Sequence, residues 1–118
     1  MEKLTIQEEE AMQAVWKTGE ANVKSFLENI NDPKPPYTTL ASTIKNLEKK
    51  GYLESRQMGN MFLYKPIIKE ADYKKRFMNS VVKDYFENSY KELVAFFAKE
   101  KKITADELKE IINLIEKK

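Results

Sequence analysis

Residues 38–66, TTLASTIKNLEKKGYLESRQMGNMFLYKP, change their apolar period halfway along. Up to Lys50 the spacing is helical, with Leu40, Ile44 and Leu47 falling on one stripe of a 3.6-residue repeat. Gly51 offers the left-handed stop that commonly ends a helix. Beyond it, Tyr52–Gln57 and Met61–Tyr64 alternate with a period of two, and Gly59-Asn60 between them suits the positive φ values of a tight hairpin. The pattern predicts a helix over about 38–50 and a hairpin over about 53–65.

The face of that helix opposite Leu40 carries Thr39, Ser42, Asn46 and Lys49, joined by Thr38 and Thr43 near its start and Lys50 at its end. An ordinary solvated helix face would carry Glu/Lys pairs. Here the side chains are small and hydrogen-bonding first, then basic. Small polar groups let a backbone approach base edges closely, and a late lysine reaches a phosphate. Thr39, Ser42 and Asn46 are therefore candidates for facing bases, and Lys49, Lys50 and Arg56 for holding phosphates. Thr38 is expected to cap the helix and donate to a phosphate, with Thr43 and Asn60 completing the set of nucleic-acid contacts.

Upstream, Thr5 and Glu8 have the spacing of a capping box. Met12, Val15 and Trp16 follow on one side, with Trp16 expected in the core and Gly19 ending the helix near residue 18. A second helix runs from Asn22, a cap, to Ile30, with Val23, Phe26, Leu27 and Ile30 inward. Pro33, Pro35 and Pro36 then force an extended break. Three helices followed by a hairpin is the order of a winged helix-turn-helix, predicted for residues 1–68.

Downstream of Pro66 the reading is helical throughout. A helix over about 70–87 presents Tyr73, Phe77, Val81 and Tyr85. A second opens with another capping-box pattern at Ser89–Glu92 and carries Leu93, Val94, Phe96 and Phe97. A third opens at Thr104–Glu107 and carries Leu108, Ile111, Ile112 and Ile115. Three short helices cannot bury so many apolar side chains among themselves, and isolated helices of this length are marginal in water. Residues 69–118 therefore read as a dimerisation domain, with an expected total interface above roughly 2,000 Å². The fold class is mainly α with a small β-hairpin: a winged helix-turn-helix head and a three-helix tail.

The 118 residues include no cysteine and no histidine. That removes disulfides, thiol chemistry, Cys/His metal sites and His-based catalytic triads. No glycine-rich phosphate loop is present among the three glycines, so neither an enzyme, a cofactor nor a metal is expected. Net charge is only +2, but its distribution is uneven. Residues 1–33 carry three basic against seven acidic side chains, whereas residues 34–65 carry six against two. A local positive strip suits a phosphate-facing surface. No apolar run approaches the roughly 20 residues that cross a bilayer, and the first residues lack a signal-peptide layout, so a cytoplasmic location is expected. The near-neutral head also admits a second reading, a winged helix that docks a protein and never binds DNA. A purely structural helical protein would leave the hairpin unexplained.

Several stretches, in order and spacing, carry a resemblance. They are Leu4-Thr5 with Glu8, Met12 and Trp16; Tyr37-Thr38-Thr39-Leu40; Leu47-Glu48-Lys49-Lys50-Gly51; and Gly59 with Tyr64-Lys65-Pro66. The tail adds Leu93-Val94-Ala95-Phe96-Phe97 and Thr104-Ala105-Asp106-Glu107-Leu108. Over nearly its whole length the chain resembles the bacterial family of penicillinase, methicillin-resistance and copper-operon repressors. The resemblance implies a homodimer that binds a double-stranded, inverted-repeat DNA operator through the third helix and wing of each subunit. It also implies an inducing system such as a membrane sensor protease, which in relatives triggers cleavage between an Asn and a Phe. The aligned bond is Phe96–Phe97, so these two are the candidate proteolytic switch, with Phe96 standing where those relatives have Asn. Copper-responsive relatives bind metal through tail cysteines, which this chain lacks. The family often has Arg where this chain has Asn46 and Asn60. Asn suits adenine better than guanine, so a more A·T-rich operator and a shallower salt dependence are expected.

Overall fold

A computed structural model describes residues 3–116. In chain order they form α1 (Ile6–Thr18), α2 (Val23–Glu28), α3 (Tyr37–Lys49), β1 (Leu53–Met58), β2 (Met61–Pro66), α4 (Glu70–Tyr85), α5 (Tyr90–Lys99) and α6 (Ala105–Glu116). Two compact units result, and the division falls inside α4, between Tyr73 and Lys74.

In the head unit, local chemistry sets most helix ends. Thr5 Oγ1 accepts from the Glu8 N–H at 3.1 Å, and Glu8 Oε1 accepts from the Thr5 N–H at 2.8 Å. This reciprocal pair satisfies two donors at the start of α1 that have no partner within the helix. Gly19, at φ +84°, ends α1. Asn22 Oδ1 caps α2 by accepting from the Ser25 N–H at 2.9 Å. Lys34 Nζ folds back onto the carbonyls of Leu27, Glu28 and Ile30 at the far end of that helix.

The start of α3 differs from expectation. Pro36 is the N-cap and Tyr37 the first helical residue, with no side-chain cap. Thr38 is therefore already inside the helix and is not its cap. Proline has no N–H to satisfy and fixes φ, so the chain enters the helix directly from the Pro35-Pro36 pair. The end of α3 matches expectation: Gly51 sits at φ +85°. Its N–H reaches the Glu48 carbonyl at 3.1 Å, and the Tyr52 N–H reaches that of Leu47 at 3.0 Å. This paired closure is a Schellman motif, which a left-handed glycine permits without strain.

β1 and β2 pair antiparallel from Leu53↔Pro66 to Met58↔Met61, leaving Gly59-Asn60 as a two-residue turn. Only Gly59 has a positive φ, +60°. A left-handed first residue alone is the pattern of a type II′ turn, so Asn60 does not share the role expected of it. An isolated hairpin is marginal in water, but this one is anchored. Ala21 and Tyr64 exchange N–H···O bonds of 3.1 and 2.8 Å, tying β2 to the α1–α2 connection.

The head core gathers Met12 and Val15 of α1, Phe26 of α2, Leu40, Ile44 and Leu47 of α3, then Tyr52, Leu53, Tyr64 and Ile68. Trp16 lies at its rim, half-buried, because its indole N–H needs an acceptor and finds the Ile68 carbonyl at 3.0 Å. The Tyr73 ring packs 5.4 Å from Trp16 and 6.1 Å from Tyr52, and its hydroxyl donates to Glu9 at 3.1 Å. Burial, then the Glu9 hydrogen bond and charge, push its phenol up to about 12. Tyr73 thus seals the head, which corrects its assignment to the self-association face.

One ion pair ties the start of α1 to the end of α3. Lys50, just past α3, donates to Glu8 Oε1 at 2.7 Å and to the Lys3 carbonyl at 3.3 Å. Burial pushes the Glu8 carboxyl up, but the Lys50 hydrogen bond, the Thr5 contacts and the Lys50 charge together hold it below its ordinary value of 4.5. A carboxyl held low when folded stabilises the fold above the unfolded value and loses that contribution as pH falls through the folded one. Glu8→Gln is thus expected to cost about 1–2 kcal/mol at neutral pH. The deficit should shrink steadily as solutions are acidified below pH 4.5. Thermal unfolding of both proteins across that range checks it; a deficit independent of pH would refute the ionic contribution.

In the tail unit, Ser89 caps α5 by accepting from the Glu92 N–H at 3.1 Å. Thr104 and Glu107 form a full capping box at 2.9 and 3.1 Å. Phe86, Phe96 and Phe97 make successive edge contacts, 5.7 and 5.3 Å between ring centres. Among the described residues Val82 is the only buried side chain of this unit, while Phe77, Tyr85, Val94, Phe96, Phe97, Ile111, Ile112, Leu114 and Ile115 are exposed. Val81, Leu93 and Leu108 are half-buried. Among the described residues no helix is long and apolar enough to cross a membrane.

Candidate nucleic-acid interface

The burial of Leu40, Ile44 and Leu47 dictates what α3 shows outward. Thr38, Thr39, Ser42, Lys45, Asn46 and Lys49 are exposed. The ladder Thr38, Ser42, Lys45 and Lys49 runs straight along the helix at i, i+4, i+7 and i+11, flanked by Thr39 and Asn46. The structure gives the side chains of Ser42, Lys45, Asn46 and Lys49 no partner within the described protein, so their hydrogen-bonding capacity faces outward. Lys45 was missed in the sequence although its spacing from Ser42 and Lys49 places it on this face.

Two expected members do not belong to the outward set. Thr43 is buried, and its hydroxyl donates back to the Thr39 carbonyl at 3.0 Å. It stands three residues after Leu40 and four before Leu47, within the inward stripe, and the hydroxyl satisfies itself on its own helix. Lys50 is committed to Glu8, its side chain only 22% exposed. Its charge holds the head together and is not free for a phosphate.

The wing is differently arranged. Arg56 is exposed yet engaged: Nε and Nη2 donate to the two carboxylate oxygens of Glu20 at 3.0 and 2.9 Å. The Arg56 hydrogen bonds, opposed by burial and aided by the charges of Arg56 and Lys65, hold the Glu20 carboxyl below its usual range. The same contact raises the Arg56 guanidinium. Two rungs along, Lys65 pairs across the strands with Glu54 at 3.1 Å. Asn60 is exposed at the turn, between Met58, Met61 and Phe62, which are also exposed. Glu20 has no sequence signal linking it to Arg56; only the fold brings the α1–α2 turn beside β1.

A helical head whose third helix turns an unpaired polar face outward, followed by an anchored two-stranded wing, defines a winged helix-turn-helix protein. The chain belongs to the penicillinase repressor family, which matches residues 4–117. It is similar to the methicillin resistance regulatory protein MecI of Staphylococcus aureus strain N315, 24% identical over 110 residues covering 92% of this chain and 89% of that one. It is also similar to the penicillinase repressor of Bacillus licheniformis, 24% identical over 112 residues covering 91% and 84%. The solution structure of the DNA binding domain of the repressor BlaI matches with a TM-score of 0.52 at 28% identity, covering 62% of this chain and 94% of that one. The family is one of repressors, not enzymes.

Proposed function

We propose that this protein is a sequence-specific DNA-binding transcriptional repressor, acting in the cytoplasm as a homodimer on an inverted-repeat operator. The outward face of α3 carries the reading: α3 enters the major groove while the wing follows the backbone. Thr39, Ser42 and Asn46 read base edges, and Thr38, Lys45 and Lys49 hold phosphates. Each neutralised phosphate contributes about 0.9 to the slope of log affinity against log salt. The relative named a penicillinase repressor, and the BlaI domain named for binding DNA, support the same assignment. Selecting bound fragments from a genomic library tests it; a protein that binds no duplex at low ionic strength would end it.

Homodimerisation through the tail draws support from the aliphatic and aromatic side chains that its described residues leave exposed. For induction, Phe96 and Phe97 lie in the last turn of α5. A protease binding an extended substrate must unwind that helix before cutting between them.

Asn46 supplies a sharper test of readout. Asn46→Arg is expected to move preference at the contacted base toward guanine by about 1–3 kcal/mol and to steepen salt dependence by up to about 0.9 if a phosphate is gained. Binding across operator variants measures both. Unchanged preference would remove Asn46 from the groove.

A second reading, a winged helix that docks a protein, draws on the wing tip, where Met58, Met61 and Phe62 are each about half exposed. A mobility-shift assay with random genomic fragments separates the two.

A further inference from the structure

The two cations of the wing and the two of the outer α3 face are in opposite electrostatic states. Among the described residues Lys45 and Lys49 have no ion-pair partner, whereas Arg56 is held by Glu20 and Lys65 by Glu54. The Glu20 contact is the stronger of the two in geometry, because both carboxylate oxygens are used. A fork of this kind matches a phosphate as well as it matches a carboxylate. Glu20 therefore offers Arg56 the same bonds that a DNA backbone would offer.

From this geometry we propose that Glu20 is an affinity-limiting residue, an internal competitor that Arg56 must leave before the wing can grip a phosphate. The inference rests on the DNA-binding reading above and adds to it a residue that sets binding strength without touching a base. Both side chains are solvent-accessible, 55% for Arg56 and 31% for Glu20, so the pair opens readily, as exposed ion pairs do. The exchange nevertheless costs the free protein one bidentate contact and leaves a carboxylate beside the phosphate. α3 can thus engage DNA first, and the wing closes only where the backbone runs close enough to draw Arg56 away. The Ala21–Tyr64 bridge keeps the competitor in place by fixing the α1–α2 turn against β2.

The test uses the full chain and a random-sequence duplex, with affinity measured across a salt series. Glu20→Gln is expected to bind about threefold or more tightly at low salt and to steepen the salt slope by about 0.9. In an Arg56→Gln background the Glu20→Gln change is expected to lose most of that gain. The salt slope is the informative readout, because a merely structural role would not move it. Unchanged affinity and slope in Glu20→Gln, with wild type still binding, would overturn the competitor role and leave the DNA-binding reading intact. Equal tightening in the Arg56→Gln background would overturn it too, since Glu20 would then act by bulk charge alone. Absence of binding by every variant would overturn both readings. Should Glu20→Gln melt earlier than wild type, Glu20→Asp provides the check: its shorter carboxylate keeps the charge but loosens the fork, and must give intermediate tightening.

Discussion

Ser42→Glu is expected to weaken operator binding about 100-fold or more while leaving the melting temperature nearly unchanged. Ser42 is exposed on the outward ladder of α3 and its side chain has no partner among the described residues, so the fold does not depend on it. In the complex a glutamate there adds bulk where the backbone must approach base edges, and a negative charge inside a groove walled by phosphates. Loss of one good base contact alone removes about 1–3 kcal/mol; the added charge repels non-specific DNA as well. Ser42→Ala should cost far less, since it only removes a hydroxyl. Fluorescence anisotropy with operator and random duplexes separates the effects. Specific binding that survives Ser42→Glu would move the interface to another surface.

Ile112→Asp is expected to split the proposed dimer and to lower affinity for a full inverted repeat by about 100-fold or more, because two linked heads would gain avidity from a second, effectively intramolecular contact. Ile112 is half exposed on α6, in a run with Ile111 and Ile115 that is likewise exposed. Taking such side chains out of water is favourable by about 1.5–3 kcal/mol each when burial is complete, and a carboxylate at the seam reverses the sign. Binding to an isolated half-site should be nearly unaffected. Sedimentation at matched concentrations gives the mass, and titration of full and half operators gives the ratio. A variant that stays dimeric would place the seam elsewhere in the tail.

Features that depend on a few neighbouring residues were legible beforehand. The capping box at Thr5–Glu8 formed as its spacing implied, whereas at Ser89–Glu92 only the serine half is made and the full second box stands at Thr104–Glu107. Gly51 ended α3, and the change of period after it became the wing. The inward stripe of α3 was readable too, but assigning every small polar residue of that helix to the outside overlooked that Thr43 falls on the stripe and can satisfy its own hydroxyl. Pairs of prolines and glycine-flanked turns were located correctly, while the residue carrying the cap or the positive φ was not always the one expected.

Sequence by itself determined the order of elements, the face of α3 that turns inward and the class of protein, because helix and hairpin chemistry acts over one or two turns of chain. Tertiary structure alone decided which cations are free. Lys50 meets Glu8 across 42 residues and Arg56 meets Glu20 across 36, and Tyr73 reaches back 64 residues to Glu9. Charges pair by distance in space, and that distance exists only once the helices have packed.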